Sequence, residues 1–271
     1  MKKEASMAGT PKISIITPSW NQGPFIERTI RSVLDQEYPD LEYIVMDGGS
    51  TDGTIDILKI YEGRLVWTSE KDKGQTDAIN KGIMRSTGDI IAYLNSDDVY
   101  EPGALRRVAD HFSAHPETMW LTGKCRIIDE RDREIRRPIT AYKNFLLRHY
   151  SYSLLLVTNP VSQPATFWRR CVTSDLGLFD EAEHLVMDYD YWLRVGKKYP
   201  LAVLDEYLAA FRVYAATKTS SSFLTTFERE MVLAKKHSPS AVLNILHRIN
   251  YIGIAAVYLA LRFFSRRQGS R

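Results

Sequence analysis

Polar and acidic side chains follow four apolar segments of the chain, at the points where the segments end. The four runs are Thr17-Pro18-Ser19-Trp20-Asn21, Asp47 to Gly53, Ser69 to Gly74 and Asn95-Ser96-Asp97-Asp98. If the segments are parallel strands, their carboxyl ends open on one crevice, where the four runs meet. Carboxylates gathered at one rim repel each other unless a cation lies among them, and a hard divalent ion that also binds phosphate oxygens is the simplest candidate. Turn chemistry explains any single run, but it explains four together less well.

An alternation of strands and helices positions these runs. The sequence predicts strands at Lys12–Thr17, Leu41–Met46, Arg64–Thr68 and Asp89–Leu94. It predicts helices at residues 25–37, Ile55–Tyr61, Thr76–Arg85 and Ala104–Phe112. Four such repeats imply an α/β fold with a mostly parallel central sheet and helices on both faces.

The alternation ends near residue 115. From there the sequence predicts a hairpin, an irregular stretch to Arg170, a helix and two further strands. The hairpin pairs Trp120–Ile128 with Arg133–Ile135, the helix covers Asp188–Lys197, and the strands cover Leu201–Leu204 and Ala209–Tyr214. We expect residues 1–10 to be a disordered tail, 11–115 and 116–225 to be two halves of one domain, and 226–271 to be a basic helical tail.

Charge is distributed unevenly along the 271 residues. Residues 1–230 carry a net charge of −4, whereas residues 231–271 carry +7 and no acidic residue. The acidic body argues against nucleic-acid binding, and the basic tail is expected to meet something anionic. The tail also places apolar residues at near-helical spacing, namely Val242, Leu246, Ile249, Ile252, Val257 and Leu261.

The uncharged run between Arg248 and Arg262 is 13 residues long. At about 1.5 Å per residue it is too short for a hydrocarbon core of roughly 30 Å. We therefore expect an amphipathic helix on an anionic membrane surface. Packing of this helix against the body, or against a second subunit in a homodimer, is the alternative.

Several common protein classes are disfavoured. Cys125 and Cys171 form no CxxC pair, which argues against a disulfide scaffold or a zinc site. The polar N-terminus is unlike a signal peptide, so we expect a cytoplasmic body. The sequence has no GxGxxG after the first strand, no GxxxxGK[ST] and no GxSxG, which disfavours dinucleotide enzymes, P-loop enzymes and hydrolases with a nucleophile elbow.

Seven motifs together resemble family 2 glycosyltransferases. They are TPSWNQ at 17–22, DGGSTDGT at 47–54, SEKDKGQTDAINKG at 69–82, YLNSDD at 93–98, NPVSQPATFWRR at 159–170, GLFDE at 177–181 and MDYDYWLR at 187–194. The resemblance covers about residues 11–214. It implies a GT-A fold, a nucleoside-diphosphate sugar as donor, a divalent metal (Mn²⁺ or Mg²⁺) and inversion at the anomeric carbon.

The resemblance assigns nine residues to the nucleotide-sugar donor. They are Thr17, Pro18, Trp20, Asn21, Asp47, Asp72, Lys73, Asn95 and Ser96. Trp20 stands where an aromatic ring stacks on the base, and the flat face of an indole suits a uracil-like ring. Asp47 matches the carboxylate that accepts a hydrogen bond from the base. Asp72 and Lys73 lie in the loop that closes over the nucleotide.

Residues 95–98 stand where the family has its metal-binding DxD motif. Asp97 matches the second Asp, which is the direct metal ligand, and Asn95 replaces the first. Asp98 is expected to cap the helix that follows. Tyr214 takes the position where the family usually has a histidine that contacts the metal or the diphosphate.

Asp188 aligns with the general base, which must remove the proton of the acceptor hydroxyl as it attacks. Asp190 and Arg194 are spaced to pair on one helix face, although the reverse assignment, with Asp190 as the base, stays open. The resemblance places four residues on the acceptor side, namely Gln163, Trp168, Arg169 and Asp190. Packing of Trp168 in the core is the alternative for that residue.

The expected function is transfer of a sugar to a glycan or lipid-linked acceptor, in surface polysaccharide or lipid-linked oligosaccharide synthesis, at the inner face of the plasma membrane. Two alternatives stay open. A sugar-nucleotide pyrophosphorylase would need a glycine-rich loop with a basic residue after the first strand, which TPSWNQG lacks. A non-catalytic carbohydrate- or nucleotide-binding module would have no need of Asp97 and Asp188.

Overall fold

The computed structural model describes residues 10–214 and 223–268, with the backbone alone at 223–224 and 257–268. The N-terminal tail predicted over residues 1–10 therefore lies, except for Thr10, outside the described residues. The strands form one eight-stranded sheet in the order β3-β2-β1-β4-β7-β6-β8-β5. Strands from both predicted halves of the domain belong to this sheet.

Four parallel strands make up the first part of the sheet. They are β1 Ile13–Ser19, β2 Leu41–Asp47, β3 Val66–Ser69 and β4 Ile90–Tyr93. The helices among them are α1 Ile26–Leu34, α2 Thr54–Ile60 and α3 Gln75–Arg85, and α4 Ala104–Ala114 comes after the short strand β5 Val99–Tyr100. In register, Ser19 lies beside Asp47 and Asp47 beside Ser69. The predicted alternation is confirmed, and β1, β2 and β3 end at neighbouring positions on the same edge of the sheet.

The rest of the sheet mixes strand directions. β6 Trp120–Ile128 and β8 Leu201–Arg212 pair in parallel, while β7 Thr166–Arg169 lies antiparallel between β4 and β6. β5 pairs antiparallel with β8 at the edge of the sheet. Most strand pairs in the whole sheet are nevertheless parallel, so the mostly parallel sheet predicted from the sequence is confirmed.

Two predictions beyond residue 115 are wrong, and the predicted hairpin forms only next to its turn. The stretch predicted to be irregular contains α5 Arg137–Arg148, α6 Tyr152–Leu155, a 3₁₀ turn at Gln163–Ala165, and β7. The two strands predicted at Leu201–Leu204 and Ala209–Tyr214 form the single strand β8. The strand β6 pairs with β8 along its length, with a bulge near Lys124. The predicted hairpin reduces to a single bridge between Ile128 and Glu134.

The sheet separates two apolar cores, as β1 illustrates. Ile13 and Ile15 pack with α1 and α4, whereas Ile16 packs with α3 and with α8 Met187–Lys198. In this second core Trp192 of α8 stacks on Trp120, with 5.6 Å between ring centroids, and meets Trp168 edge-on at 5.7 Å. These large rings hold α8 against the sheet, and α7 Arg170–Leu176 packs beside it.

The C-terminal segment forms two helices, α9 Phe223–His237 and α10 Ala241–Gln268. Leu233 and Ala234 of α9 are buried in the second core. Arg229 and Lys236 pair with Glu183 at 2.8 and 3.5 Å, and Glu183 is only 5% exposed. The first part of the predicted tail is thus packed on the body.

Candidate functional site

Hydrogen bonds join the loops that follow β1 and β2. The Asn21 N–H donates to Ser50 Oγ at 2.7 Å, and Asn21 Oδ1 accepts from the Thr51 N–H at 2.8 Å. Asn21 has a φ of 52°, in the left-handed region that asparagine tolerates better than most residues. Asn21 therefore shapes the crevice by linking its first two loops.

Trp20 extends from the loop after β1 and is 65% exposed. An exposed indole on a loop that is tied to its neighbour offers an open face for stacking. Thr17 and Pro18 are buried instead, and Thr17 Oγ1 lies 3.1 Å from the Tyr43 hydroxyl. These two side chains support the loop from beneath rather than line the crevice.

Asp47 ends β2 and is 2% exposed. Its Oδ2 accepts hydrogen bonds from the N–H groups of Gly49 (3.0 Å) and Ser50 (2.8 Å) and from the Ser69 hydroxyl (2.7 Å). Its Oδ1 accepts one from the Ser50 hydroxyl at 2.5 Å. Because a carboxylate oxygen can accept more than one hydrogen bond, Oδ1 has room for a further donor such as the ring N–H of a base.

Asp72 and Lys73 lie in the loop after β3, against the end of β2. A Cβ built on Gly48 would lie 2.6 Å from Asp72 Oδ2, so a larger residue at this position would displace the Asp72 carboxylate. The Gly74 N–H donates to Asp72 Oδ1 at 2.8 Å. Lys73 is exposed, with its Nζ 3.7 Å from Glu181 in the segment before α8. The loop thus reaches from the donor side toward α8.

Asn95 organises a polar network at the end of β4. Its side-chain N–H groups donate to Asp98 Oδ2 and Gln163 Oε1, both at 3.2 Å, and its Oδ1 accepts from Gln75 at 2.6 Å. Gln163 in turn donates to the carbonyl oxygen of Tyr93 at 2.5 Å. Ser96, the next residue, is buried. Both the amide nitrogen and the amide oxygen of Asn95 therefore hold neighbouring side chains in place.

Asp97 is half-buried, and the Tyr214 hydroxyl donates to its Oδ2 at 3.1 Å. Burial, and then the charge of Asp97, raise the pKa of Tyr214 to about 12, so the phenol keeps the proton that it donates. The Nε of the fully buried Arg212 donates to the Asp97 carbonyl oxygen at 2.7 Å. Asp97 is therefore fixed through both its side chain and its backbone.

Asp98 is fully buried and accepts a hydrogen bond from the Arg212 N–H at 2.8 Å. Burial, and then the charge of Asp97, raise the pKa of Asp98 well above its usual value. The helix α4 has Gly103 at its N-cap position and no side-chain cap. The predicted capping role of Asp98 is thus wrong, and the residue instead joins the end of β4 to β8.

The residues around Asp97 fit a divalent cation that arrives with a ligand. In residues 10–214 and 223–268, no group of three or more His, Cys, Asp and Glu side chains is arranged to hold a metal. A Mg²⁺-like ion bound together with phosphates needs only one or two carboxylates, because phosphate oxygens and water complete its shell. Asp97, with the Tyr214 hydroxyl beside it, meets that requirement.

Asp188 lies in the first turn of α8, where the Tyr189 N–H donates to its Oδ1 at 2.9 Å. Burial raises the pKa of Asp188, against the effect of that hydrogen bond and of the Lys143 charge. A raised pKa brings a carboxylate closer to the range in which it acts as a general base. The surroundings of Asp188 therefore suit proton removal.

The N-terminus of α3 connects the Asp97 side of the crevice to the Asp188 side. Gln75, its first residue, holds Asn95, and the Thr76 hydroxyl lies 2.8 Å from the sulfur of Met187, the residue before Asp188. Asn80, further along the helix, bonds to the backbone of Phe179 at 2.9 and 3.1 Å. One helix therefore places the end of β4 next to the start of α8.

Asp190 forms the predicted ion pair with Arg194, with Oδ2 and Nε 2.8 Å apart. His237 of α9 lies 3.9 Å from its Oδ1. Although burial opposes it, the nearby His237 and the charge of Arg194 lower the pKa of Asp190. These contacts make Asp190 a link between α8 and α9, and they favour Asp188 over Asp190 as the base.

Two residues predicted on the acceptor side are engaged elsewhere. Trp168 is fully buried, and its indole N–H donates to Thr173 at 2.8 Å. Arg169 donates to the backbone carbonyl oxygens of Phe112 and Thr118 at 2.8 and 2.7 Å. Because β7 is an interior strand, these side chains stabilise the core and the end of α4 and do not line an acceptor surface. Of the predicted acceptor residues, Gln163 alone joins the crevice network.

Sequence reasoning missed Gln75, Thr76, Lys143 and Glu230. The first two lie inside a quoted motif, but neither carries a charge that marks a site. Burial, and then the charge of Asp188, raise the pKa of Glu230 in α9 to about 8. Burial lowers the pKa of Lys143 in α5. No spacing rule links α5, α8 and α9, so this group around Asp188 is visible only in three dimensions.

The sequence matches a known family. Residues 14–171 match the family model described as Glycosyl transferase family 2. The putative teichuronic acid biosynthesis glycosyltransferase TuaG of Bacillus subtilis (strain 168) is 42% identical over 102 residues, which cover 36% of this chain and 40% of TuaG. The match to TuaG thus covers less than half of that relative.

Two solved structures have the same fold. Residues 1–349 of S. aureus TarS, in complex with UDP-GlcNAc, superpose with a TM-score of 0.64 at 19% identity, over 82% of this chain and 66% of that one. The mannosyltransferase PcManGT from Pyrobaculum calidifontis, in complex with GDP-Man and Mn²⁺, gives a TM-score of 0.61 at 17% identity, over 94% and 81%. The predicted GT-A fold is confirmed.

Proposed function

Because the chain belongs to glycosyl transferase family 2, we propose that it transfers a sugar from a nucleoside diphosphate to an acceptor hydroxyl, with inversion at the anomeric carbon. The observation that carries the proposal is the position of Asp97 and Asp188, on the two elements that the N-terminus of α3 holds together. In this proposal Asp97 would contact a cation on the diphosphate, and Asp188, whose pKa is raised by burial, would lie near the acceptor.

The donor is a nucleoside-diphosphate sugar. TarS is described with UDP-GlcNAc and PcManGT with GDP-Man and Mn²⁺, which supports this class of donor here. Trp20 would stack on the base and Asp47 Oδ1 would accept its ring N–H. Asp97, oriented by Tyr214, would hold a divalent cation, and Asp72 and Lys73 would lie over the diphosphate. When bound, Mn²⁺ or Mg²⁺ stabilises charge on the departing diphosphate.

Asp188 is the general base in this proposal. Its carboxylate takes the proton of the acceptor hydroxyl while that oxygen forms a bond to the anomeric carbon. The bond from that carbon to the diphosphate oxygen breaks, and its electron pair leaves with the diphosphate. Attack on the face opposite the leaving group inverts the configuration and needs no covalent enzyme intermediate.

The acceptor is a glycan or a lipid-linked saccharide in surface-polysaccharide synthesis. The name of TuaG, in teichuronic acid biosynthesis, supports this class of pathway. An acceptor of this kind is made at the inner face of the plasma membrane, where the protein would be peripherally attached. Family membership gives no support to the pyrophosphorylase alternative.

The test is a donor and metal screen. Wild-type protein is incubated with UDP-GlcNAc, UDP-glucose or GDP-mannose, with Mn²⁺, Mg²⁺ or EDTA, and release of nucleoside diphosphate is measured beside the thermal midpoint. We expect one donor to raise the midpoint and to release its nucleoside diphosphate only when metal is present. Formation of a nucleotide sugar from a nucleoside triphosphate and a sugar 1-phosphate would identify a pyrophosphorylase. Donor binding without turnover, in the presence of lipid-linked and glycan acceptors, would identify a binding module.

A further inference from the structure

The helix α10 meets the body partly through polar side chains. His247 is 3% exposed, and its Nδ1–H donates to the Leu156 carbonyl oxygen at 2.9 Å. Burial lowers the pKa of His247, so the ring is neutral near pH 7. Asn250 accepts a hydrogen bond from the Tyr142 hydroxyl of α5 at 3.2 Å. His247 and Asn250, which lie off the apolar stripe, therefore face the protein.

The apolar stripe faces the other way. Five large apolar residues of α10 are between 45% and 66% exposed, namely Val242, Ile245, Leu246, Ile249 and Ile252. Their spacing of three and four residues places them on one side of the helix, which we call the outer face. On an ordinary surface helix this side would be polar. An exposed apolar face of this length requires a partner to cover it.

A further exposed apolar residue lies on α5, the helix that contacts α10. Phe145 is exposed on α5, three residues after Tyr142, whose hydroxyl is bonded to Asn250. Exposed aromatic and aliphatic side chains on two adjacent helices make a broader surface than one stripe would. Tyr142 is exposed as well, and an aromatic side chain with a polar end is well suited to the boundary between lipid and water.

The positive charge of the C-terminal segment indicates what kind of partner covers the outer face. The last acidic residue of the chain is Glu230, and the seven lysines and arginines that follow give residues 231–271 a charge of +7. Arg248 is exposed on α10, and Arg262, Arg266, Arg267 and Arg271 come later in the sequence. An anionic bilayer is the partner that uses both properties, because acyl chains accept the apolar face while phosphate headgroups attract the cations.

We propose that the outer face of α10 docks on an anionic lipid bilayer, with the helix lying in the plane of the interface. Within the described ranges, up to Tyr214 and again from residue 223, there is no helix with the length and apolar content needed to cross a membrane. Docking does not depend on the transfer chemistry proposed above, and it is measured without substrate. It would hold the crevice at the surface where a lipid-linked acceptor is exposed.

The test is co-sedimentation of the full chain with two kinds of vesicle. One contains phosphatidylcholine alone, and the other contains phosphatidylcholine with about 40% phosphatidylglycerol, which makes its surface anionic. The outer-face variant is Ile245→Ser/Ile249→Ser. Its matched control is Ile60→Ser/Met84→Ser, which makes the same kind of change at two exposed apolar positions of the body. We expect wild type and control to bind anionic vesicles at low salt and the outer-face variant to bind at least about tenfold less tightly.

A charge variant gives a second, independent readout. Arg266→Glu/Arg267→Glu is expected to weaken binding to anionic vesicles by about fivefold or more per residue, and high salt should weaken wild-type binding in the same way. Absence of wild-type binding at low salt, or equal binding by the outer-face and control variants, would overturn the proposal. So would a wild-type dimer in light scattering that binds no vesicles and becomes monomeric in the outer-face variant, because a second copy would then cover the face.

Discussion

The two carboxylates assigned to the chemistry have contrasting surroundings. Asp97 lies at the ends of the strands, half-buried, with a tyrosine hydroxyl on one oxygen and an arginine on its backbone carbonyl. Asp188 is half-buried as well, but it lies in the first turn of a helix packed in an aromatic core, and burial raises its pKa. In the proposed mechanism this contrast gives the same functional group two roles. A carboxylate at the open rim can share a cation with a diphosphate, whereas a desolvated one binds a proton more readily.

The largest effect is expected from Asp188→Asn, which keeps the shape of the side chain and removes its basicity. We expect kcat to fall by about 10²- to 10⁴-fold. Nucleoside-diphosphate affinity should stay unchanged, because the donor side is held by β1 to β4. Steady-state kinetics and a thermal-shift titration measure the two quantities. Asp56→Asn, at an exposed position of α2, is the control, and a normal kcat in the Asp188 variant would assign the base elsewhere.

Asp97→Ala tests the opposite side of the comparison. We expect the metal-dependent part of the turnover to disappear, a loss on the order of 10²-fold, because the cation loses its carboxylate. The fold should be retained, since this side chain does not pack in a core. Activity is measured as a function of Mn²⁺ concentration, with circular dichroism as the folding control. A variant that still responds normally to Mn²⁺ would show that Asp97 holds no metal.

Tyr214→Phe asks whether the tyrosine hydroxyl orients Asp97. Removal of the hydroxyl that donates to Oδ2 takes away one contact that orients the carboxylate, and we expect Mn²⁺ to activate at about tenfold higher concentration. The value of kcat at saturating metal should change much less. Tyr61→Phe, a tyrosine at the end of α2, is the matched control. Tighter Mn²⁺ activation in the Tyr214 variant would mean that the hydroxyl competes with the cation.

The same contrast explains which parts of the site were predictable. The Asp97 side was found from the sequence because strand-end polar runs are local, and parallel topology brings their ends together. The group around Asp188 draws on α5, α8 and α9, so neither Lys143 nor Glu230 could be identified from spacing. The family resemblance placed Trp168 on the acceptor side, with packing in the core as the alternative, and its burial on the interior strand β7 bears out the alternative. A motif indicates that a residue matters, but its neighbours in the fold decide whether it packs or binds.

The apolar stripe of α10 shows a similar limit. Its periodicity predicted a helix correctly, and the helix forms. Periodicity alone does not say which side of a helix meets the body. His247 and Asn250 find backbone and side-chain partners on α5 and after α6, and this pairing turns the apolar side outward.

The smallest expected effect concerns Glu230. Its titration tests how strongly the carboxyl groups near Asp188 are desolvated, which is one half of the contrast between Asp188 and Asp97. Burial, and then the charge of Asp188, raise the pKa of Glu230 from its usual 4.5 to about 8, while Lys143 opposes the shift. Between these two values the folded protein keeps a proton that the unfolded chain releases. The stabilising contribution of the protonated carboxyl is therefore complete below about pH 4.5 and is lost as the pH rises through about 8.

Glu230→Gln removes this dependence, because the amide does not titrate and stays neutral like the protonated acid. The melting temperatures of variant and wild type should therefore agree at pH 5, and the variant should melt a few degrees higher at pH 8.5. Glu228→Gln, an exposed position on the same helix, should show no such widening between the two pH values. If the two variants shifted alike, or if Glu230→Gln lowered the melting temperature at pH 8.5, the pKa of Glu230 would not be raised in the folded protein. The carboxyl groups near Asp188 would then be solvated, and the contrast between Asp97 and Asp188 would have to rest on their hydrogen bonds alone.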